Sequence, residues 1–288
     1  MEVDLKKVIG LGVAGNFAGH LEQAGEASDF KDLVIQDANA PKGVFPFYVP
    51  LAAADSASNA PEGETHFLHT FPVSSECIRL GSPEEKHQIE PEVSLLCDLE
   101  YAGERVVAVK PLQAMAHNDC SIRREGAKKI SEKKNWGAET KGTSAQSIPI
   151  DRFEKGGILD HCRIASYLIR NGKLHAYGVD SPASSYSYMY GQLLNWLVLK
   201  LNEQIDEGPL EQISEWIRIA GQPAQALISI GATRYTDFGE TNFLAPGDLS
   251  VVAVYDARRL DTEAIERIAL GQETPPSEGL SLLVQEIV

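Results

Sequence analysis

The chain has 288 residues, 43% of them hydrophobic, enough to bury a sizeable core without disulfide or metal staples. Its formal net charge is −15, from 26 basic and 41 acidic residues. That excludes nucleic acid as the main partner, because phosphate contacts need a basic surface, and it excludes docking on anionic lipid.

The first residues, MEVDLKKVIG, hold no apolar run long enough for a signal peptide, and no later stretch is long enough to span a membrane. A cytoplasmic location is therefore expected. The four cysteines, Cys77, Cys97, Cys120 and Cys162, form no C-x-x-C pair and fit no zinc spacing, so buried free thiols are expected.

In chain order, Lys7 to Gly12 reads as a short buried strand ending in a glycine turn, with a helix from Asn16 to Gly25 after it. Leu33 to Ile35 is a second apolar run. PKGVFPFYVP, Pro41 to Pro50, must be extended, because each proline pushes the residue before it out of the α region. Ala52 to Glu64 is small and polar, a loop. The runs HFLHTF, ECIRL, PEVSLLCDLEYA and RVVAVKPLQAMAHND then read as strands. Ser131 to Ser147 is polar, contains glycine and has no hydrophobic period, so a long loop is expected.

Asn171-Gly172 marks a hairpin within CRIASYLIRNGKLHAYGVD. Met189, Leu193, Leu194, Leu197, Val198 and Leu201 are spaced as one face of a helix, and Leu210, Ile213, Trp216 and Ile217 mark a second. ALISIGA and LSVVAVYD read as strands. Thr262 to Leu270 reads as a helix with Thr262 as its N-cap and Gly271 past its end. The apolar tail SLLVQEIV needs cover, from this chain or from a partner subunit. No repeat and no interdomain linker is evident, so one β-rich α+β domain over residues 1–288 is expected.

Gly10, Gly12 and Gly15 match G-x-G-x-x-G after an apolar strand, and Asp37 ends the next apolar run. Those are parts of a dinucleotide-binding turn, where glycines let pyrophosphate approach a helix N-terminus and an acid holds a ribose hydroxyl. The following hundred residues lack the further βα units such a fold needs. The competing reading is a glycine turn that lets a helix pack closely on a strand.

Glu90 and Glu92 lie two apart in IEPEVSLL, so in a strand they share a face, where two carboxylates repel unless a cation relieves them. Asn118, Asp119 and Arg123 follow the next strand in AMAHNDCSIRR. E-x-E followed by a β-rich stretch and N-D-x-S-x-R resembles the signature arrangement of the fumarylacetoacetate hydrolase family. Other segments resemble that family in the same order. GNFAGH places His20 where the family has a histidine, GVFPFYVP lies at its F-x-K-P segment, and Lys134 falls near its active-site lysine. ISIGATRY stands at its T-G-T-P turn and FLAPGDLSVVAV at its L-x-P-G-D element.

The resemblance runs from about residue 8 to residue 256, leaving a C-terminal helix and tail. It implies a mixed β-sheet roll with peripheral helices, possessing a site in which Glu90, Glu92 and Asp119 bind Mg²⁺, or Mn²⁺ or Ca²⁺. An oxygen-only donor set independently suits those hard cations. By the same resemblance His20 is the base, and Arg123 and Lys134 hold the anionic oxygens of a small oxo-acid substrate, with Lys133 or Lys141 as stand-ins for the lysine. A homodimer is an expected form.

Three positions depart from the family pattern. The acid after His20 is Gln23, unless Glu22 serves. Val49 replaces the F-x-K-P lysine, and Ala232 replaces a hydroxyl residue. All three lie on the substrate side of the metal. The sequence therefore points to a metal-dependent carbon–carbon hydrolase or related lyase on a 2-oxo or diketo acid. The alternatives are a catalytically weak metabolite-binding protein on the same fold and an NAD(P)-binding protein using Gly10, Gly12 and Gly15.

Overall fold

Long strands joined by tight turns carry the architecture of the computed structural model, which describes residues 3–30, 37, 39–51, 66–124 and 126–288. The apolar run at 33–35 and the small polar stretch at 52–64 lie outside the described residues. In chain order the strands are β1 (Ile9–Ala14), β2 (Gly43–Tyr48), β3 (Val73–Ser74), β4 (Cys77–Ile78), β5 (His87–Gln88), β6 (Pro91–Ala102), β7 (Arg105–Asn118) and β8 (Ser121–Ile122). They continue with β9 (Lys141–Thr143), β10 (Ile148–Pro149), β11 (Cys162–Arg170), β12 (Lys173–Pro182), β13 (Gln225–Ser229), β14 (Leu249–Asp256) and β15 (Leu280–Ile287). The helices are α1 (His20–Gln23), α2 (Tyr190–Glu203), α3 (Ile213–Ile219), α4 (Asp237–Thr241) and α5 (Thr262–Ala269). None is long and apolar enough to cross a membrane.

One mixed sheet runs β2-β1-β13-β6-β7-β9-β3, with β10 added beside β7, and a second runs β12-β11-β14-β15-β4. The β6–β7 hairpin is the spine. Its two-residue turn, Gly103-Glu104, takes the left-handed φ of +63° at Gly103, which glycine adopts without Cβ strain. The first seven residues of β6 are buried on both faces. The second sheet packs on one face while Phe47 and its neighbours fill the other.

The two sheets are tied at the far end of the hairpin by Asn118, whose Nδ2 donates to Ser250 Oγ and Gln285 Oε1, both at 3.2 Å. Helix α5 covers the outer face of the second sheet with Ile265 and Ile268. Burying each of these contributes about 1.5–3 kcal/mol.

Several expectations need correction. Gly10 and Gly12 make no phosphate turn and no helix-packing turn: both lie inside β1, antiparallel to β2. A Cβ on Gly12 would sit 2.2 Å from the Phe45 ring, and one on Gly10 would sit 2.2 Å from Phe47. The glycines make room for the two rings that β2 lays across them. The helix expected over residues 16–25 shrinks to the four residues of α1. Glycines with φ of +84° (Gly19) and +72° (Gly25) bracket it, and Asn16 is drawn away to Ile230 O and Tyr188.

HFLHTF is a 3-10 turn at Phe67–His69 rather than a strand, with the His66 ring accepting from Leu68 N. The polar segment 131–147 is ordered. It includes a 3-10 turn, Ile130–Lys133, and β9, which pairs with the end of β7. Its polar residues are buried through hydrogen bonds, such as Asn135 Nδ2 to Phe47 O at 2.8 Å, so no hydrophobic period could announce it. The N-cap of α5 is Asp261, whose side chain accepts from Ala264 N, rather than Thr262. The apolar tail finds its cover within the chain as β15, between β14 and β4.

Candidate metal centre

The end of the hairpin opposite its turn assembles the carboxylates. Pro91 pairs with Asn118 as the last rung, so Glu90 precedes the ladder and Asp119 follows it. Asp119 N then donates to Glu90 O at 2.9 Å, closing the end. Glu92 lies one rung inside, opposite His117. One carboxylate oxygen from each of Glu90, Glu92 and Asp119 falls within 4.8 Å of the others, and all three residues are buried.

Each carboxylate is held differently. Glu92 Oε2 accepts from Gly231 N at 2.8 Å. Gly231 has a φ of +117°, and a Cβ there would press on Asn16 at 3.0 Å, so glycine is required. Burial and the charges of Asp119 and Glu90 hold the Glu92 carboxyl well above the usual range, despite Lys134 nearby. Burial also disfavours a charged Glu90, but the Lys134 and Arg123 cations overcome it and hold that carboxyl well below the usual range. Asp119, fully buried, has an ammonium group at ion-pair distance from each of its oxygens.

Three cations converge on these acids, and a fourth, Lys133, on their neighbour Glu26. Lys134 Nζ lies 2.6 Å from Glu90 Oε2, 2.6 Å from Asp119 Oδ2 and 5.3 Å from the centroid of the Phe45 ring. Lys141 Nζ, from β9, lies 2.8 Å from Asp119 Oδ1 and donates to Cys120 O at 2.5 Å. The Arg123 guanidinium meets Glu90 Oε1 at 2.8 Å, Glu26 Oε1 at 2.9 Å, Tyr235 OH at 2.7 Å and Gln88 Oε1 at 2.5 Å. Lys133 joins Glu26 at 2.9 Å and Asp29 at 2.8 Å.

Glu26 belongs to this network, and its sequence context signals it only faintly. After α1, Gly25 turns left-handed and Glu26 N donates back to Leu21 O at 2.9 Å, reversing the chain. That turn sends the Glu26 side chain inward. Burial works against its charge, but Arg123 chiefly, with Lys134 and Lys133, keeps its carboxyl below the usual range.

His20 faces the same place. Its Nδ1 lies 2.9 Å from Thr233 O, a carbonyl that can only accept, so Nδ1 carries the proton. Nε2 then points toward Glu90 Oε2, 4.0 Å away. Burial depresses the imidazole pKa, more than Glu90 restores it. Gln23 turns elsewhere: its amide oxygen accepts from Tyr235 N at 2.9 Å and its Nε2 donates to Tyr235 O at 3.2 Å. Ala232 lines the cavity beside the acids. Val49 is buried in the core.

A small cavity of about 20 Å³ is bounded by Glu90, Glu92, Asp119, Lys134, His20 and Glu26, among others. That is room for one bare ion or one water. Outside it lies an open hollow of about 630 Å³, whose wall includes Gln23, Glu26, Lys86, Arg123, Arg124 and Lys133. Glu26 belongs to both walls. The arrangement can therefore hold one hard cation inside and admit a small molecule from an outer hollow that mixes Lys86, Arg123, Arg124 and Lys133 with Glu22, Glu26, Asp29 and Glu240.

Residues 26–287 match the family model described as a family of unknown function (DUF5718). The chain belongs to that family. A comparison with curated proteins finds no match. Among solved structures, this DUF5718 protein resembles Cg1458 with inhibitor at a TM-score of 0.53 and 14% identity, covering 97% of this chain and 76% of that one. It also resembles 2-keto-3-deoxy-D-arabinonate dehydratase complexed with magnesium and 2,5-dioxopentanoate, at a TM-score of 0.53 and 13% identity over 97% of this chain and 72% of that one. A fumarylacetoacetate hydrolase family protein from Yersinia pestis CO92 aligns over 98% of this chain and 94% of its own, with 10% identity and a TM-score of 0.49. The strand-rich fumarylacetoacetate-hydrolase-like fold expected from the motifs is the fold found.

Proposed function

We propose that this DUF5718 protein is a divalent-metal-dependent enzyme acting on a small 2-oxo or diketo acid, as a carbon–carbon bond hydrolase or related lyase. The observation that carries the reading is Asp119. Its carboxylate is fully buried and converges with those of Glu90 and Glu92 around an ion-sized cavity. Three carboxylates gathered in one buried place repel one another, and a shared divalent cation relieves that repulsion. An all-oxygen donor set suits Mg²⁺, Mn²⁺ or Ca²⁺. A protein of the same fold holds magnesium with a dioxo acid, which supports the substrate class.

Glu90, Glu92 and Asp119 would hold the ion. When bound, it would polarise the oxo group and stabilise the negative charge that develops there. The chain's own groups supply the rest. His20 keeps its proton on Nδ1, against Thr233 O, so Nε2 is the free base facing the cavity. The four acceptors around Arg123 occupy its guanidinium, so it fixes Glu90 in place rather than reaching for substrate. Lys134, on the cavity wall, is the cation placed to meet an anionic oxygen of the substrate. Gln23 acts as a positioning residue: by clamping Tyr235 it steadies the Ala232–Tyr235 segment, whose Thr233 carbonyl orients His20.

The test uses native protein stripped of metal. Calorimetry with Mg²⁺ or Mn²⁺, with and without oxalate as an oxo-acid mimic, should show oxalate binding only in the presence of metal. Oxaloacetate decarboxylation or acetylpyruvate hydrolysis should then be metal-dependent. Absence of metal binding would overturn the reading. Metal-dependent oxalate binding without turnover of any 2-oxo or diketo acid would leave a metabolite-binding site without catalysis.

A further inference from the structure

The feature that a simple three-acid site does not explain is the ammonium already inside it. Lys134 Nζ touches one oxygen of Glu90 and one of Asp119, two of the three presumptive ligands, at 2.6 Å each. An ion shared by the same two residues would lie within a few ångströms of that ammonium, in a buried place where like charges repel strongly. We propose that Lys134 is a built-in competitor for the metal. It bridges Glu90 and Asp119 in the metal-free protein and must release both before an ion is shared by the triad. This inference rests on the metal reading above.

The geometry identifies Lys134, and not Lys141, as the group that moves. Both touch Asp119. Lys141 is fully buried, is tied to Cys120 O, and is absent from the cavity wall. Lys134 lines the cavity, and among the described residues its amine donates an aligned hydrogen bond to Glu90 Oε2 alone. Its Nζ lies 5.3 Å from the centroid of the Phe45 ring, a face that attracts the ammonium without fixing its direction. Arg123 and Lys141 stay on the outer oxygens of Glu90 and Asp119 and keep both carboxylates aimed at the cavity while the amine leaves. The device keeps buried carboxylates charge-compensated before the ion arrives. It also makes the released ammonium available to an anionic ligand only when metal is present.

The experiment compares native protein with Lys134→Met, which keeps an unbranched side chain of similar length and removes the charge. Mn²⁺ affinity is measured by calorimetry and thermal midpoints are recorded with and without Mn²⁺. The variant should bind Mn²⁺ at least about tenfold more tightly, since two charge-assisted contacts no longer oppose the ion. Its midpoint should be lower without metal and rise more on adding it. Equal or weaker Mn²⁺ binding by the variant, with native binding intact, overturns the competition and leaves the metal reading standing. No Mn²⁺ binding by either protein overturns both. Should the variant fail to fold, a crystal structure of Mn²⁺-loaded native protein decides. Lys134 Nζ withdrawn from both oxygens supports the proposal, and Nζ still on both, with the ion on the triad, refutes it.

Discussion

Removing the charge of Asp119 separates two opposite expectations for the metal-free protein. If repulsion among the three acids dominates, Asp119→Asn stabilises it. If the lysines dominate, the substitution destabilises it. The distances decide. At an effective dielectric of about 20, ion pairs at 2.6 and 2.8 Å to Lys134 and Lys141 attract by about 6 kcal/mol each. A second carboxylate oxygen within 4.8 Å repels by about 3.5 kcal/mol or more. Burial disfavours the charge on Glu92, whereas Lys134 and Arg123 hold Glu90 charged despite its burial, so Glu90 is the main opponent. Attraction wins. Asparagine keeps the shape but leaves Lys141, fully buried, without its counter-ion. Breaking a buried pair in this way costs about 3–5 kcal/mol. Urea unfolding of metal-free native and Asp119→Asn proteins at neutral pH should show that loss at an unchanged m-value, and the variant should fail to bind Mn²⁺. A loss under about 1 kcal/mol, or a gain, would refute the charge argument, because it would fall short of the range for a broken buried pair.

Two further outcomes follow from the packing. Glu211 is buried, accepts from Ser131 Oγ, and has its pKa raised by burial from 4.5 to about 7. The neutral form is the one the fold favours, so the stability this group contributes is present below pH 4.5 and lost as pH rises through about 7. Between those values native protein should lose about 3 kcal/mol relative to Glu211→Gln, and parallel stability–pH curves for the two would contradict the assignment. Gly12→Ala should cost about 1–3 kcal/mol in denaturant unfolding, because its Cβ meets the Phe45 ring at 2.2 Å, and NAD should show no retention in dialysis of native protein. A neutral Gly12→Ala would mean that the ring relaxes freely.

What the sequence by itself determined was local: residue types, spacings and turn chemistry. Asn171-Gly172 encodes a two-residue turn with positive φ at both positions, and the observed values are +53° and +74°. The helical spacing from Met189 onward delivers α2, and Glu90, Glu92 and Asp119 are legible because their motifs flank two strands that close as a hairpin. The tertiary structure alone decided what each motif is for. The Gly10–Gly12 pattern fits a nucleotide turn until β2 lays Phe45 and Phe47 across it. Gln23 stands at an acid's place in the motif, but the left-handed turns at Gly19 and Gly25 shorten its helix and aim it at Tyr235. The next turn brings Glu26 inward instead. Lys134 and Lys141 lie in a polar stretch without period. Their burial comes from ion pairs made across the fold, and such pairs leave no periodic trace in a sequence, because only apolar burial repeats with the backbone's own geometry.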